Sequence, residues 1–385
     1  MVDSSADARP AFYEFFAGGG MVRAGLGDGW RCLFANDINP GKAAAYRENW
    51  GWEDFHLGDI GTLDASVLPG RPDLVWGSFP CQDLSLAGAG AGLEGGRSGT
   101  FHAFFDIVRA LAADRRAPRL VVIENVCGAL TSRGGQDFET ICRTFVEAGY
   151  RPGPLVINAD LFVPQSRPRL FVIGLRDDAA PDALASPAPE LTFHPAAVMR
   201  AVEALPVDLR SHIVWWNLPE PGLSNASLTS IVEPDTPALR WRKHDATARL
   251  LAQMSPLNRA KVDTALRSGT EAVGAVFRRT RTEAGRKVQR AEVRFDRAGC
   301  LRTPAGGSSR QILLVIRNGE VRSRLMTGRE TARLMGLQDN YRLPHSESAA
   351  LRLTGDGVAV PVVAWLSEQL LKPLLGLAVS RRRAA

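Results

Sequence analysis

Along its first 175 residues the chain alternates short apolar runs with stretches of helical periodicity. The runs at 11–16, 32–36, 74–78, 120–124 and 170–175 are too short for helices and predict strands. The segments 41–49, 100–113 and 137–148 predict helices. This alternation predicts an α/β fold, a doubly wound and mostly parallel sheet with ligands beyond the carboxyl ends of its strands. From 177 to 194 the chain is rich in alanine and proline, as at a boundary. Beyond it the periodicity is mixed and tryptophans gather (Trp215, Trp216, Trp241), which predicts a smaller α+β domain. Residues 356–375 are again apolar and helical, and are expected to return to the first domain. The expected division is 1–190, 191–340 and 341–385.

Charge sharpens the picture of the middle segment. The 385-residue chain carries a net +6, but residues 278–310 hold ten Lys or Arg against three acidic residues, so the remainder is close to neutral. A localised basic patch marks contact with a polyanion better than a high overall charge does, although a solvated charged face has the same composition. The five cysteines, Cys32, Cys81, Cys127, Cys142 and Cys300, are odd in number and widely spaced, without a Cys-x-x-Cys pair. That argues against a disulfide framework or a zinc site. The first residues lack a basic-then-apolar leader and no apolar run has the length of a bilayer span. The expectation is a soluble, cytoplasmic, nucleoid-associated protein of a reducing compartment, without metal or membrane.

The candidate chemistry sits at strand ends. Pro80-Cys81-Gln82 follows the 74–78 run and opens a glycine-rich loop that reaches Gly99. A thiol there is placed for nucleophilic attack, although a lone cysteine is more often a small buried hydrophobe. Glu124 lies beyond four apolar residues, so its carboxylate needs a partner or a raised pKa. In Gln165-Ser166-Arg167-Pro168-Arg169 the two arginines are two apart, on one face of an extended chain. After the first run, Phe15-Phe16-Ala17-Gly18-Gly19-Gly20 allows a tight turn and close approach of a ligand. A dinucleotide fingerprint needs glycine at 23, where Arg23 stands, so a ligand without a pyrophosphate, such as S-adenosylmethionine, fits better. Asp37 ends the second run, where a carboxylate can accept ribose hydroxyls, and Asp59 is placed to accept from an adenine amino group.

Taken together and in this order, these pieces resemble the DNA (cytosine-5)-methyltransferases. Phe16-Ala17-Gly18-Gly19-Gly20, Asn36-Asp37, Gly58-Asp59-Ile60, Pro80-Cys81-Gln82, Glu124-Asn125-Val126 and Gln165-x-Arg167-x-Arg169 carry the resemblance. Arg329-Glu330-Thr331-Ala332-Arg333-Leu334-Met335-Gly336 and the 355–361 segment extend it late in the chain. The family's last motif reads Gly-Asn-x-Val, whereas Gly355-Asp356-Gly357-Val358 stands here, so an amide donor is lost.

The resemblance implies a reaction and its residues. Cys81 adds to C6 of a flipped-out cytosine, Glu124 holds N3 and the exocyclic amine, and Arg169 binds O2. Arg167 helps hold the DNA backbone. S-adenosylmethionine donates the methyl group and lies against Phe16, Gly18, Gly20, Asp37, Ile38, Asp59, Ile60 and Pro80, with Asp356, Gly357 and Val358 shaping its methionine end. Gln82, Ser85 and Arg97 in the loop, and Arg302, Ser308, Ser309 and Arg310 in the recognition domain, are implied DNA contacts. The implied partner is double-stranded DNA, with a restriction endonuclease as functional pair or none, and the implied state is a monomer. The alternatives are a transfer-RNA methyltransferase of the same family and a non-catalytic DNA-binding relative.

Overall fold

Seven strands build the central sheet: β1 (Ala11–Phe15), β2 (Arg31–Asp37), β3 (Phe55–Leu57), β4 (Leu74–Gly77), β5 (Leu120–Val126), β6 (Tyr150–Asn158) and β7 (Pro168–Arg176). The computed structural model describes residues 8–79, 99–179, 184–222, 226–283, 285–303 and 310–376. The strand order is β3-β2-β1-β4-β5-β7-β6. β1 pairs in parallel with β2 and β4, and β5 continues the parallel set, while β7 runs antiparallel to both its neighbours. The chain winds outward from β1 to β3, then crosses back to β4 on the other side. The carboxyl ends of β1 and β4 therefore flank the point where the winding reverses, which is where such sheets leave a crevice.

The sheet forms where it does because its inner strands are apolar on both faces. β1, β4 and most of β5 are buried along their length. Helices α1 (Met21–Leu26), α2 (Pro40–Trp50), α3 (Gly99–Ala113) and α4 (Gln136–Glu147) supply the cover. α3 contributes Phe101, Phe104, Phe105, Val108 and Leu111 to the core on one stripe.

Two strands escape the sequence pattern. β3 has three residues, too few for a periodic signal. β6 contains Pro152, Gly153 and Pro154, which argue against a strand, yet it lies at the edge of the sheet, where a missing N–H is tolerated. The expected boundary at 190 is also displaced. The first compact unit comprises residues 1–158, 168–222 and 360–385, and the second 159–167 and 223–359. Residues 191–222 stay with the first unit because Val198, Val202, Leu205 and Leu209, at helical spacing, fill its core through α5 (Ala196–Glu203) and α6 (Val207–Arg210). Trp215 and Trp216 go with them, forming β9 (Trp215–Trp216) against β8 (Ala185–Ser186).

The second unit is α+β, as expected. Its antiparallel sheet has the order β11-β10-β12-β13, from β10 (Ala272–Glu283), β11 (Arg286–Arg294), β12 (Ile312–Arg317) and β13 (Glu320–Leu325). Helices α7 (Leu228–Ile231), α8 (His244–Ala252), α9 (Pro256–Arg267), α10 (Gly328–Leu334) and α11 (Glu347–Asp356) accompany it. Leu250, Met254, Val262, Val276, Val293, Ile312 and Leu314 form its core. β12 pairs only with residues 272–276 of β10, so the rest of β10 and its partner β11 continue as a two-stranded basic ribbon. In α10, Glu330 closes a capping box with Thr327 and is paired with Arg324 (Nη1–Oε2 2.6 Å), both side chains being buried.

The chain then re-enters the first unit through α12 (Val360–Leu366), which packs on α1. A Cβ on Gly25 would stand 2.4 Å from Cβ of Val363, so glycine is what lets the two helices approach. Trp30 Nε1 donates to Ser367 Oγ at 2.8 Å, both side chains buried. By length and composition alone the stretch Glu347–Leu374 is long and apolar enough to cross a membrane. Half of its most apolar window is buried, and the stretch is not one helix: α11 ends at Asp356 and α12 starts at Val360.

Candidate functional site

The turn after β1 is built for close approach. Phe16 adopts a left-handed backbone (φ 58°), unusual for a non-glycine residue, and Gly18 and Gly20 are left-handed too. A Cβ on Gly20 would collide with Trp50 Nε1 at 2.4 Å, and that nitrogen donates to the Gly19 carbonyl. Asp37, at the end of β2, clamps this turn. Its carboxylate accepts the Gly18 N–H at 2.9 Å through Oδ2 and the Asn39 N–H at 2.8 Å through Oδ1. Each oxygen keeps a further lone pair for a ligand hydroxyl. Ile38 beside it is 63 % exposed, an apolar surface at the rim. Asp59 accepts the Gly61 N–H and starts a helical turn, in which Ile60 is buried. The arrangement fits a nucleoside with free ribose hydroxyls: a paired acceptor at the end of β2 and apolar groups on either side.

A second group of candidate residues lies on β5 and β7. Val126 faces Arg169 and Glu124 faces Phe171 across this antiparallel pair, so Glu124 and Arg169 are diagonal neighbours on one face. Arg169 Nε stands 3.2 Å from Glu124 Oε1, with side chains only 15 % and 7 % exposed. The partner that a buried Glu124 demands is therefore Arg169. Asn125, between them and pointing to the other face, donates from Nδ2 to the Phe79 carbonyl (3.3 Å) while its Oδ1 accepts the Val126 N–H. Phe79 is the residue before Pro80. Asn125 thus ties the end of β5 to the stem from which Pro80 and Cys81 continue. Sequence reasoning placed Asn125 within a motif but gave it no role; its position just beyond four apolar residues and Glu124 was the available signal. Asn36 is a second such residue, donating to the carbonyls of His56 and Gly58 and so holding the turn that carries Asp59.

Some expectations fall elsewhere. Pro80, Cys81, Gln82, Ser85, Arg97, Ser308 and Ser309 lie outside the described residues. Arg167 does not share a face with Arg169: the chain passes from the second unit to the first between Arg167 and Pro168. Its side chain is buried and donates to the carbonyls of Leu301 (3.0 Å), Gly355 (2.9 Å) and Gly357 (2.6 Å). The implied role on the DNA backbone is corrected: the last carbonyls of α11 lack helical partners, and this guanidinium satisfies them. It thereby fixes the loop of Asp356, Gly357 and Val358. Arg310 is likewise turned inward, donating to the Met326 carbonyl and to Glu347, both at 3.3 Å. Arg302 is exposed.

The chain is similar to known proteins over most of its length. Residues 11–372 match the family model for C-5 cytosine-specific DNA methylases. The chain is 28 % identical to the type II methyltransferase M.HpaII of Haemophilus parainfluenzae, over 94 % of this chain and 89 % of that one. It is 27 % identical to the type II methyltransferase M.NlaX of Neisseria lactamica, over 96 % and 98 %. Among solved structures, the S. pombe Dnmt2 methyltransferase superposes over 96 % of this chain and 100 % of that one with a TM-score of 0.59, at 17 % identity, a likeness of fold. From the first strand to the last helix, the chain belongs to the family of C-5 cytosine-specific DNA methylases and is a DNA (cytosine-5)-methyltransferase.

Proposed function

We propose that the protein methylates C5 of a cytosine within one short sequence of duplex DNA, as the modifying half of a restriction–modification pair or alone. The observation that carries this reading is the Glu124–Arg169 pair, with Asn125 beside it tied to the stem of the Pro80-Cys81 segment. A carboxylate and a guanidinium on one face match the two polar edges of cytosine. Glu124 accepts from the exocyclic amine and holds N3, and Arg169 donates to O2. Reaching these groups requires the base to leave the duplex stack, at a cost of roughly a few kcal/mol. Cys81 then adds to C6 as the thiolate, and the electron pair of the ring's C5–C6 bond makes C5 nucleophilic. Glu124 manages the proton at N3 while the ring is electron-rich. Loss of the C5 proton and departure of Cys81 restore the aromatic ring.

The methyl donor in this reading is S-adenosylmethionine, which supplies an electrophilic methyl group on a sulfonium. Asp37 would hold its ribose hydroxyls, Phe16 and Ile38 its adenine faces, and Asp59 its amino group. Bisulfite sequencing of plasmid DNA from cells expressing the protein, beside Cys81→Ala, tests the whole. Protected cytosines in one context, absent from the control, are the expected result. Soluble protein that protects none, but methylates RNA in a matched assay, would turn the reading to the RNA-directed alternative.

A further inference from the structure

Basic residues gather in the second unit around the start of α8. Arg240-Trp241-Arg242-Lys243 leads directly into α8. Ala246, Arg249, Leu250 and Gln253 follow one stripe of α8 and its carboxyl-terminal cap, and with Arg242 ahead of the helix and Arg278 of β10 they line a cavity of about 220 Å³. Three of these six residues are arginines and none is acidic. Arg249 is paired one turn back with Asp245 (2.8 Å), while Arg278 makes a long hydrogen bond to Gln289 (3.4 Å). Burial and the facing charge of Arg278 together hold the Arg242 guanidinium below its ordinary pKa. Among the described residues, Gln253 Oε1 is buried without a hydrogen-bond partner. Rotation of that amide would instead present its NH₂ group as a donor.

Two like charges across one cavity and an unsatisfied amide are both costly, and one bound anion relieves both. We propose that this cavity seats a backbone phosphate of the DNA. Arg242 and Arg278 take its non-bridging oxygens, Gln253 donates to one of them, and Arg249 stands at the mouth. The inference rests on the duplex-DNA reading and deepens it by assigning a fixed backbone contact. Arg278 lies two residues beyond Val276, the last residue of β10 paired with β12, so the seat marks the root of the basic ribbon. A phosphate held there sets the angle at which the ribbon meets the duplex without reading sequence.

The test measures duplex affinity across a salt series for wild type, Arg242→Gln, Arg278→Gln and the exposed control Arg267→Gln. The two seat variants are expected to weaken binding about tenfold on any sequence and to lower the slope of log K against log salt by about 0.9. The control should match wild type. Because the seat arginines repel each other, their variants should melt no lower than wild type, which separates lost contact from lost fold. Wild-type affinity and slope in both seat variants would overturn the seat and leave the DNA reading standing. If wild type itself fails to bind duplex DNA, that reading falls, and inorganic phosphate decides the seat. A melting-temperature rise with phosphate in wild type, lost in both variants, retains an anion site there; equal rises in all three overturn it.

Discussion

Glu14 and His194 bury ionisable side chains in the first unit and pull its stability in opposite directions with pH. Burial pushes the Glu14 carboxyl up from 4.5 to about 8, against a smaller lowering by Arg23. The folded protein therefore keeps that proton over a range where the unfolded chain has lost it. Its contribution is complete below pH 4.5 and is lost as pH rises through 8. Burial pushes His194 down from 6.5 to about 4, so its contribution is present above 6.5 and is lost as pH falls through 4. Between 6.5 and 8 only Glu14 acts. The unfolding free energy should fall across that window by up to about 1.4 kcal/mol per pH unit, read as a falling melting temperature, and Glu14→Gln should flatten it. Parallel profiles for the two proteins would refute the assignment. Asn125→Ala should lower kcat at least tenfold while leaving cofactor affinity near wild type, since it leaves the buried Phe79 carbonyl without its donor; equal kcat would show that the stem needs no tether. The presence of Glu14 and Asn125 in apolar runs was visible in the sequence. Their partners were not: Glu14 accepts the Arg23 N–H of α1, and Asn125 reaches the Phe79 carbonyl beyond a neighbouring strand that the sequence does not name.

At the scale of elements, β5 and β7 bring Glu124 and Arg169 together only because β7 runs backwards in the sheet. Arg169→Met strands a buried carboxylate and should cost about 3–5 kcal/mol, while Arg169→Met with Glu124→Gln should recover most of that. Both proteins should be inactive. A double variant no more stable than the single one in urea would mean the pair is not the source of the loss. β6 makes a second case. A Cβ on Gly153 would lie 2.0 Å from Trp216 Nε1, which donates to the Gly153 carbonyl, so Gly153→Ala should destabilise by about 1–3 kcal/mol in urea denaturation. The five apolar strands and three main helices were legible because their burial repeats along the chain. The reversal of β7 was not, since its pattern is that of any buried strand, and β6 was hidden by prolines that only an edge position permits. Arg167 shows the converse: its spacing from Arg169 implied a shared face, but the chain changes unit between them.

Over the whole molecule, the two units are not sequential pieces of chain. Residues 223–359 are placed within the sequence of the first unit, whose remaining helices come after them. Ending the chain before Val360 should expose Leu26 and Trp30 and abolish the cooperative unfolding of the first unit, although the Pro80-Cys81, Glu124 and Arg169 segments all remain; a sharp transition in near-ultraviolet dichroism would contradict this. Ala/Pro richness near 185 suggested a boundary there because it is a local property, whereas the cover that 191–222 gives the first unit is not.

The contact of Trp30 with Ser367 also orders events during synthesis. α1 emerges early, yet the helix that covers it is made only after the entire second unit. Throughout that interval the nascent chain carries the turn that Asp37 clamps and both strands of the Glu124–Arg169 pair, but not the finished layer behind them. A ribosome that stalls inside the second unit therefore leaves an incomplete first unit, with Trp30 and Leu26 open to chaperones and proteases. Methylating capacity arises at one late step of translation rather than by degrees, so a premature stop anywhere before that step yields a null product and not a weakened enzyme.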